Sequence, residues 1–177
     1  MKRILPVILT LAGLIGIIGC SESDCPLNNN PMNLISFMDS QTGKAFTLAD
    51  TLTVTALGTD STLINRITKA STLTLPLRYE GGETSYIFKY SIVNRDTVTL
   101  GNGKDTILIN ISTLRDTISM TYTDEKHFLS MDCGILTYFD LKTIGTTNHL
   151  IDSVRIINPE INEIEKTNIE VYFRTGN

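Results

Sequence analysis

Tryptophan is absent, and only two histidines occur, His127 and His149. The first gap removes the indole platforms that sugar-binding surfaces favour. Most of the six tyrosines and six phenylalanines fall in alternating runs where core packing accounts for them. A glycan- or small-ligand-binding module is therefore an alternative and not the leading expectation. The second gap restricts acid–base chemistry. A nucleophilic triad would have to recruit His127 or His149 with Asp132 or Asp152, and the chain has no G-x-S-x-G elbow, no H-E-x-x-H pair and no phosphate loop. A hydrolase is the second alternative, with no catalytic residue assigned. Three cysteines without C-x-x-C spacing or a Cys/His cluster give zinc no support, and Asp39-Ser40-Gln41-Thr42-Gly43 reads as a turn without the carboxylate density of a calcium loop. No cofactor is expected. No basic patch follows a phosphate backbone, so nucleic acid is a poor partner.

What is present begins at the N-terminus. Lys2 and Arg3 precede an uncharged apolar run over residues 4–18 that ends at Gly19 and Cys20. That is the layout of a secretory signal. Fifteen residues are short for a bilayer span, which needs about 20, and Pro6, Gly13 and Gly16 weaken a helix. Ile17-Ile18-Gly19-Cys20 resembles the lipobox of bacterial lipoproteins, in which cleavage falls just before the cysteine and the cysteine takes lipid. The resemblance implies a signal peptide over residues 1–19, acylation of Cys20, a tether over 20–32 and a single β domain over 33–177. Each buried methylene contributes about 0.8 kcal/mol, so several acyl chains would anchor the protein firmly without a spanning helix. An ordinary cleaved signal that releases a soluble chain is the competing outcome.

With Cys20 lipidated, Cys25 and Cys133 remain as an even pair in an oxidising compartment, where a disulfide is expected; two separate thiols are the other outcome. The loop so closed would hold about 108 residues, which the chain-entropy model makes strongly stabilising. Removing residues 1–19 also removes Lys2 and Arg3, leaving 13 basic against 19 acidic side chains. A domain of this length buries close to 70% of its unfolded surface and needs no metal to hold a core. After Cys20 the stretch Ser21-Glu22-Ser23-Asp24 and the run Asn28 to Asn30 between Pro26 and Pro31 read as a solvated tether. A serine followed by acidic residues also resembles the surface-export signal of Bacteroidota lipoproteins, so either face of an outer membrane is open.

From residue 33 onward, apolar side chains recur with period two. Leu52, Val54 and Ala56 share one face, as do Leu73, Leu75 and Leu77; Tyr86, Phe88 and Tyr90; Ile107, Ile109 and Ile111; Ile118, Met120 and Tyr122; and Ile169, Val171 and Phe173. Turn signals fall at Gly43, Gly58, Gly81-Gly82, Asn94 to Asp96, Gly101-Asn102-Gly103 and Gly145. The pattern predicts about nine to eleven short strands at intervals of roughly 8 to 12 residues, in an antiparallel β-sandwich or, alternatively, a β-barrel. Pro76 should sit at an edge or bulge, and Glu160 to Lys166 could form a short helical turn or a loop.

The tripeptide Asp, Thr or Ser, apolar recurs at Asp50-Thr51-Leu52, Asp96-Thr97-Val98, Asp105-Thr106-Ile107, Asp116-Thr117-Ile118 and Asp152-Ser153-Val154, and loosely at Asp60-Ser61-Thr62. It suits the start of a strand, since Asp satisfies turn amides and the following residue begins the pleat. It also resembles the O-glycosylation acceptor of Bacteroidota extracytoplasmic proteins, which makes Thr51, Thr97, Thr106, Thr117 and Ser153 candidate glycan sites. Residues 127–141 and 146–159, with an aspartate before Cys133-Gly134 and Asn148, Ile151, Asp152 and Ser153 beyond, resemble the C-terminal half of an uncharacterised family of Bacteroidota lipoproteins. These readings combine into an expectation: an outer-membrane lipoprotein with a non-enzymatic binding or structural role, held by its lipid and meeting an envelope protein partner.

Overall fold

The computed structural model describes residues 25, 31–59, 61–99, 101 and 105–175. The signal-like segment, Cys20, most of the tether, Asp60 and the Asn102-Gly103 turn lie outside the described residues. Ten strands follow in order: β1 (Met32–Asp39), β2 (Thr51–Ala56), β3 (Thr62–Ile67), β4 (Thr72–Pro76), β5 (Glu83–Thr99), β6 (Asp105–Ser130), β7 (Gly134–Thr146), β8 (Ile151–Ile156), β9 (Glu160–Ile161) and β10 (Thr167–Phe173). There is no helix among the described residues. The fold is an all-β sandwich of a four-stranded sheet, ordered β4-β1-β10-β8, and a six-stranded sheet, ordered β3-β2-β5-β6-β7-β9.

Alternation explains the core. Ile35 and Phe37 of β1, Leu73 and Leu75 of β4, and Ile169, Val171 and Phe173 of β10 line the inner face of the smaller sheet. Leu52, Val54, Tyr86, Phe88, Ile118, Met120 and Tyr122 face them from the larger sheet. Each such side chain contributes roughly 1.5–3 kcal/mol on full burial. Phe173 meets Phe37 edge-on at 5.2 Å, which locks the C-terminal strand across the middle of the core. Burial raises the pKa of the Tyr86 phenol, whose hydroxyl donates to the Pro76 carbonyl and so ties the two sheets together.

Three expectations need correction. The strands are mostly antiparallel, but β1 and β10 pair parallel, Ile35 opposite Ile169 and Phe37 opposite Val171. The strands are not uniformly short, because β5 has 17 residues and β6 has 26. Asn94 to Asp96 does not turn: it lies inside β5, opposite Asn110, Ile109 and Leu108, and Gly145 likewise lies inside β7 opposite Ser119. A continuous partner ladder satisfies the backbone at these residues, and that outweighs their weak β-propensity. Pro76 ends the edge strand β4, where its missing N–H leaves no ladder bond unmade, and of Glu160 to Lys166 the first two residues form β9 while residues 162–166 are a loop.

Cys25 and Cys133 are joined, with Cα atoms 5.3 Å apart. Cys133 lies in the β6–β7 turn, where its amide donates to Ser130 Oγ at 3.0 Å and Gly134 takes the positive φ of 74° that swings the chain into β7. Cys25 precedes the first strand, so the bridge fastens the flank of the domain and not its centre. Cys133→Ser is expected to lower stability by about 2 kcal/mol, near the bottom of the range for native bridges, measured as a shift in the urea midpoint with and without reductant.

Candidate interaction surface

β5 and β6 pair over their full shared length, from Glu83 opposite Thr121 to Thr99 opposite Asp105. Their outer neighbours are shorter. β2 covers β5 only along Tyr86 to Ser91, and β7 covers β6 only from Ile118 onward. Residues 94–99 and 105–115 therefore leave the body as a two-stranded ribbon, exposed throughout. Six or seven residues of strand extend about 20 Å. Both outer edges of the ribbon lack a neighbouring strand among the described residues, and a free ribbon edge offers its N–H and C=O groups to another chain.

Parity decides which side chains the ribbon displays. In β6 the core-facing residues Asp116, Ile118, Met120 and Tyr122 are even-numbered, and the pairing with β5 runs unbroken, so odd-numbered Ile107, Ile109 and Ile111 lie on the opposite, solvent face. Their exposures are 62, 61 and 66%. Period-two alternation is the mark of a half-buried strand, and these three depart from it: they share a face, but nothing among the described residues covers it. Val93 stands opposite Ile111 on the same side, with Arg95 and Thr97 opposite Ile109 and Ile107. The three isoleucines expose roughly 300 Å² of apolar surface, comparable to the largest patch on an ordinary monomer.

A cleft of about 880 Å³ opens at the root of the ribbon, bounded by Asp50, Tyr90, Ile92, Leu114, His149 and Arg174 among others. Asp50 braces the root: its amide donates to the Tyr90 hydroxyl oxygen at 3.1 Å, and its Oδ1 accepts from the Val93 amide at 3.4 Å. Desolvation raises the Tyr90 phenol. Arg174 is engaged by Asp152 Oδ1 at 3.3 Å and the Asn148 carbonyl at 3.1 Å.

Asp116 lies behind His149 and Leu150 of that cleft, and the sequence marked it only as one of several aspartates that satisfy turn amides, without the loop it serves. Its side chain is 2% exposed, yet it accepts from the amides of His149 and Leu150 at 2.8 Å and Ile151 at 2.9 Å, and from the Thr147 hydroxyl at 3.1 Å. Burial alone would raise its pKa; the amides of His149, Ile151 and Leu150 together with Thr147 outweigh that and hold it below the ordinary carboxylate value. His149 Nδ1 also lies 3.2 Å from Asp116 Oδ1. The histidine thus meets Asp116 and not Asp152. No serine, threonine or cysteine hydroxyl or thiol bonds to its ring among the described residues. His127 stacks on Tyr138 with ring centres 4.2 Å apart and approaches Glu125 at 3.7 Å, beside a groove of about 340 Å³. A hydrogen bond from Tyr138 to Glu163 pushes that phenol up to about 12. No cluster of three metal-ligating side chains occurs among the described residues.

The other sequence-derived candidates separate by exposure. Thr97 and Thr106 are exposed on the ribbon, on opposite faces and on either side of its turn, whereas Thr51, Thr117 and Ser153 are half-buried within the sheets. The profile of a family of unknown function, DUF6452, matches residues 51–173, from the first residue of β2 to the last of β10. The chain belongs to the DUF6452 family. The match leaves β1 outside it and includes the ribbon, Asp116 and the β6–β7 turn. No curated protein and no solved structure matches the chain. What this member of the DUF6452 family displays most openly is the isoleucine face of the ribbon. The signal that could have found it was the stretch 104–133, 30 residues with neither glycine nor proline and too long for one short strand.

Proposed function

We propose that the protein is a lipoprotein, anchored to an outer membrane through acylated Cys20, that works by binding an envelope protein through its ribbon and catalyses nothing. The observation that carries this reading is the isoleucine face at residues 107, 109 and 111, exposed on a ribbon whose edges pair with no other strand among the described residues. A partner strand laid along either edge would gain main-chain hydrogen bonds while its side chains met the isoleucines. The histidine environments support a binding role: Asp116 already serves four donors of its own loop and is poorly placed to orient a base.

Two measurements test the reading. Mass spectrometry of the mature chain is expected to find an N-terminus at Cys20 carrying acyl groups; a chain that starts at Met1, or an unmodified Cys20, overturns the anchor. Tagged protein recovered from intact envelopes after cross-linking at the ribbon is expected to bring one protein partner with it. Turnover of an envelope substrate without any partner would overturn the binding role. A second reading, capture of a small ligand in the cleft beside Tyr90, rests on that cavity's volume of about 880 Å³.

A further inference from the structure

β6 has two ends, and the end opposite the ribbon is also apolar. Phe128 stands directly across from Ile135, so their side chains share a face, and both are 63% exposed. Met131, at the turn between them, is 91% exposed. A phenylalanine, a methionine and an isoleucine presented together on a hairpin turn gain nothing from water.

The disulfide says where this turn sits. Cys133 is in the same turn and is bonded to Cys25. Four residues stand between Cys20 and Cys25, and the five steps of chain that join them reach about 18 Å at most when extended. We infer that Phe128, Met131 and Ile135 dip into the lipid surface and form a second, non-covalent foot beside the anchor. The inference rests on the acylation of Cys20 for its address, but the apolar turn and its exposure stand independently. Asp132 is exposed in the same turn, and a carboxylate keeps to the headgroup layer, so the immersion is shallow, about 5–10 Å.

Geometry then fixes the opposite end. β6 runs for 26 residues from the ribbon to this turn, a contour of roughly 80 Å. With one end on the lipid, the ribbon is directed away from the membrane. The two apolar surfaces of one strand thus face different occupants: lipid at residues 128–135 and, in the reading above, protein at residues 107–111.

Because the chain lacks tryptophan, Phe128→Trp and Ile109→Trp each introduce a single reporter. The full chain, made in cells and reconstituted into phosphatidylethanolamine–phosphatidylglycerol vesicles with or without brominated acyl chains, is expected to show a blue-shifted indole at position 128, quenched about twofold by bromine, and an unquenched one at 109. Met131→Trp repeats the measurement at the turn should the first variant fold poorly, as read by circular dichroism. An indole at 128 or 131 that bromine does not quench overturns the inference. So does a blue shift independent of bromine, the mark of contact with protein or with a second copy. The mass of the N-terminal peptide in the same sample separates the two failures. Acylated Cys20 with an unquenched turn leaves the anchor intact and removes the foot, whereas unmodified Cys20 with a quenched turn removes the anchor and supports the foot.

Discussion

Asp116→Ala is expected to cost about 3–4 kcal/mol of folding stability, read as a fall in the urea midpoint with little change in slope. The alanine leaves the amides of His149, Leu150 and Ile151 facing a space that no other acceptor fills, and it releases the Thr147 hydroxyl from its bond. Ile151 is itself buried and begins β8, so the loop cannot turn outward to water without drawing that strand off β10. A loss below about 1 kcal/mol would show that solvent replaces the carboxylate and that the loop is not clasped. The same group sets a pH dependence. Its folded-state pKa lies below the unfolded value near 3.8, so its contribution is present above that value and is lost as the pH falls through the lower folded-state pKa. Asp116→Asn, which does not titrate, should flatten the acid limb of the stability curve in that window.

Changing Ile107, Ile109 and Ile111 together to serine is expected to leave the body folded and to abolish partner capture from envelopes. Each side chain is already more than three-fifths exposed, so burial in the domain contributes little, and the change in stability should stay within about 1 kcal/mol. At an interface each isoleucine would contribute roughly 1–2 kcal/mol, and the triple change should weaken binding on the order of a hundredfold to ten-thousandfold. Val98→Ser with Leu108→Ser alters the other face of the same ribbon and loosens it equally, so retention of capture in that variant assigns the contact to the isoleucine face and not to a frayed ribbon. Undiminished capture by the triple variant would remove the ribbon from the function.

The sequence disclosed the pleat faithfully and the surroundings poorly. Tyr86, Phe88 and Tyr90, and Ile118, Met120 and Tyr122, alternate because one sheet face is buried, and period two reads that directly. Ile107, Ile109 and Ile111 carry the same pattern with the faces exchanged; alternation reports which residues share a side and is silent on what covers it. The parallel pairing of β1 with β10 joins residues more than 130 positions apart, beyond any local signal. Asp116 looked like one of five similar tripeptides, and only the return of residues 147–151 distinguishes it. At the β6–β7 turn, the cysteine drew notice while Phe128, Met131 and Ile135 around it looked like further strand residues.

The parallel seam also orders events in time. β1 sits between β4 and β10, and β10 leaves the ribosome after every other described strand. The smaller sheet can close only when that strand arrives, so a nascent chain keeps half its interior open until synthesis has passed Phe173.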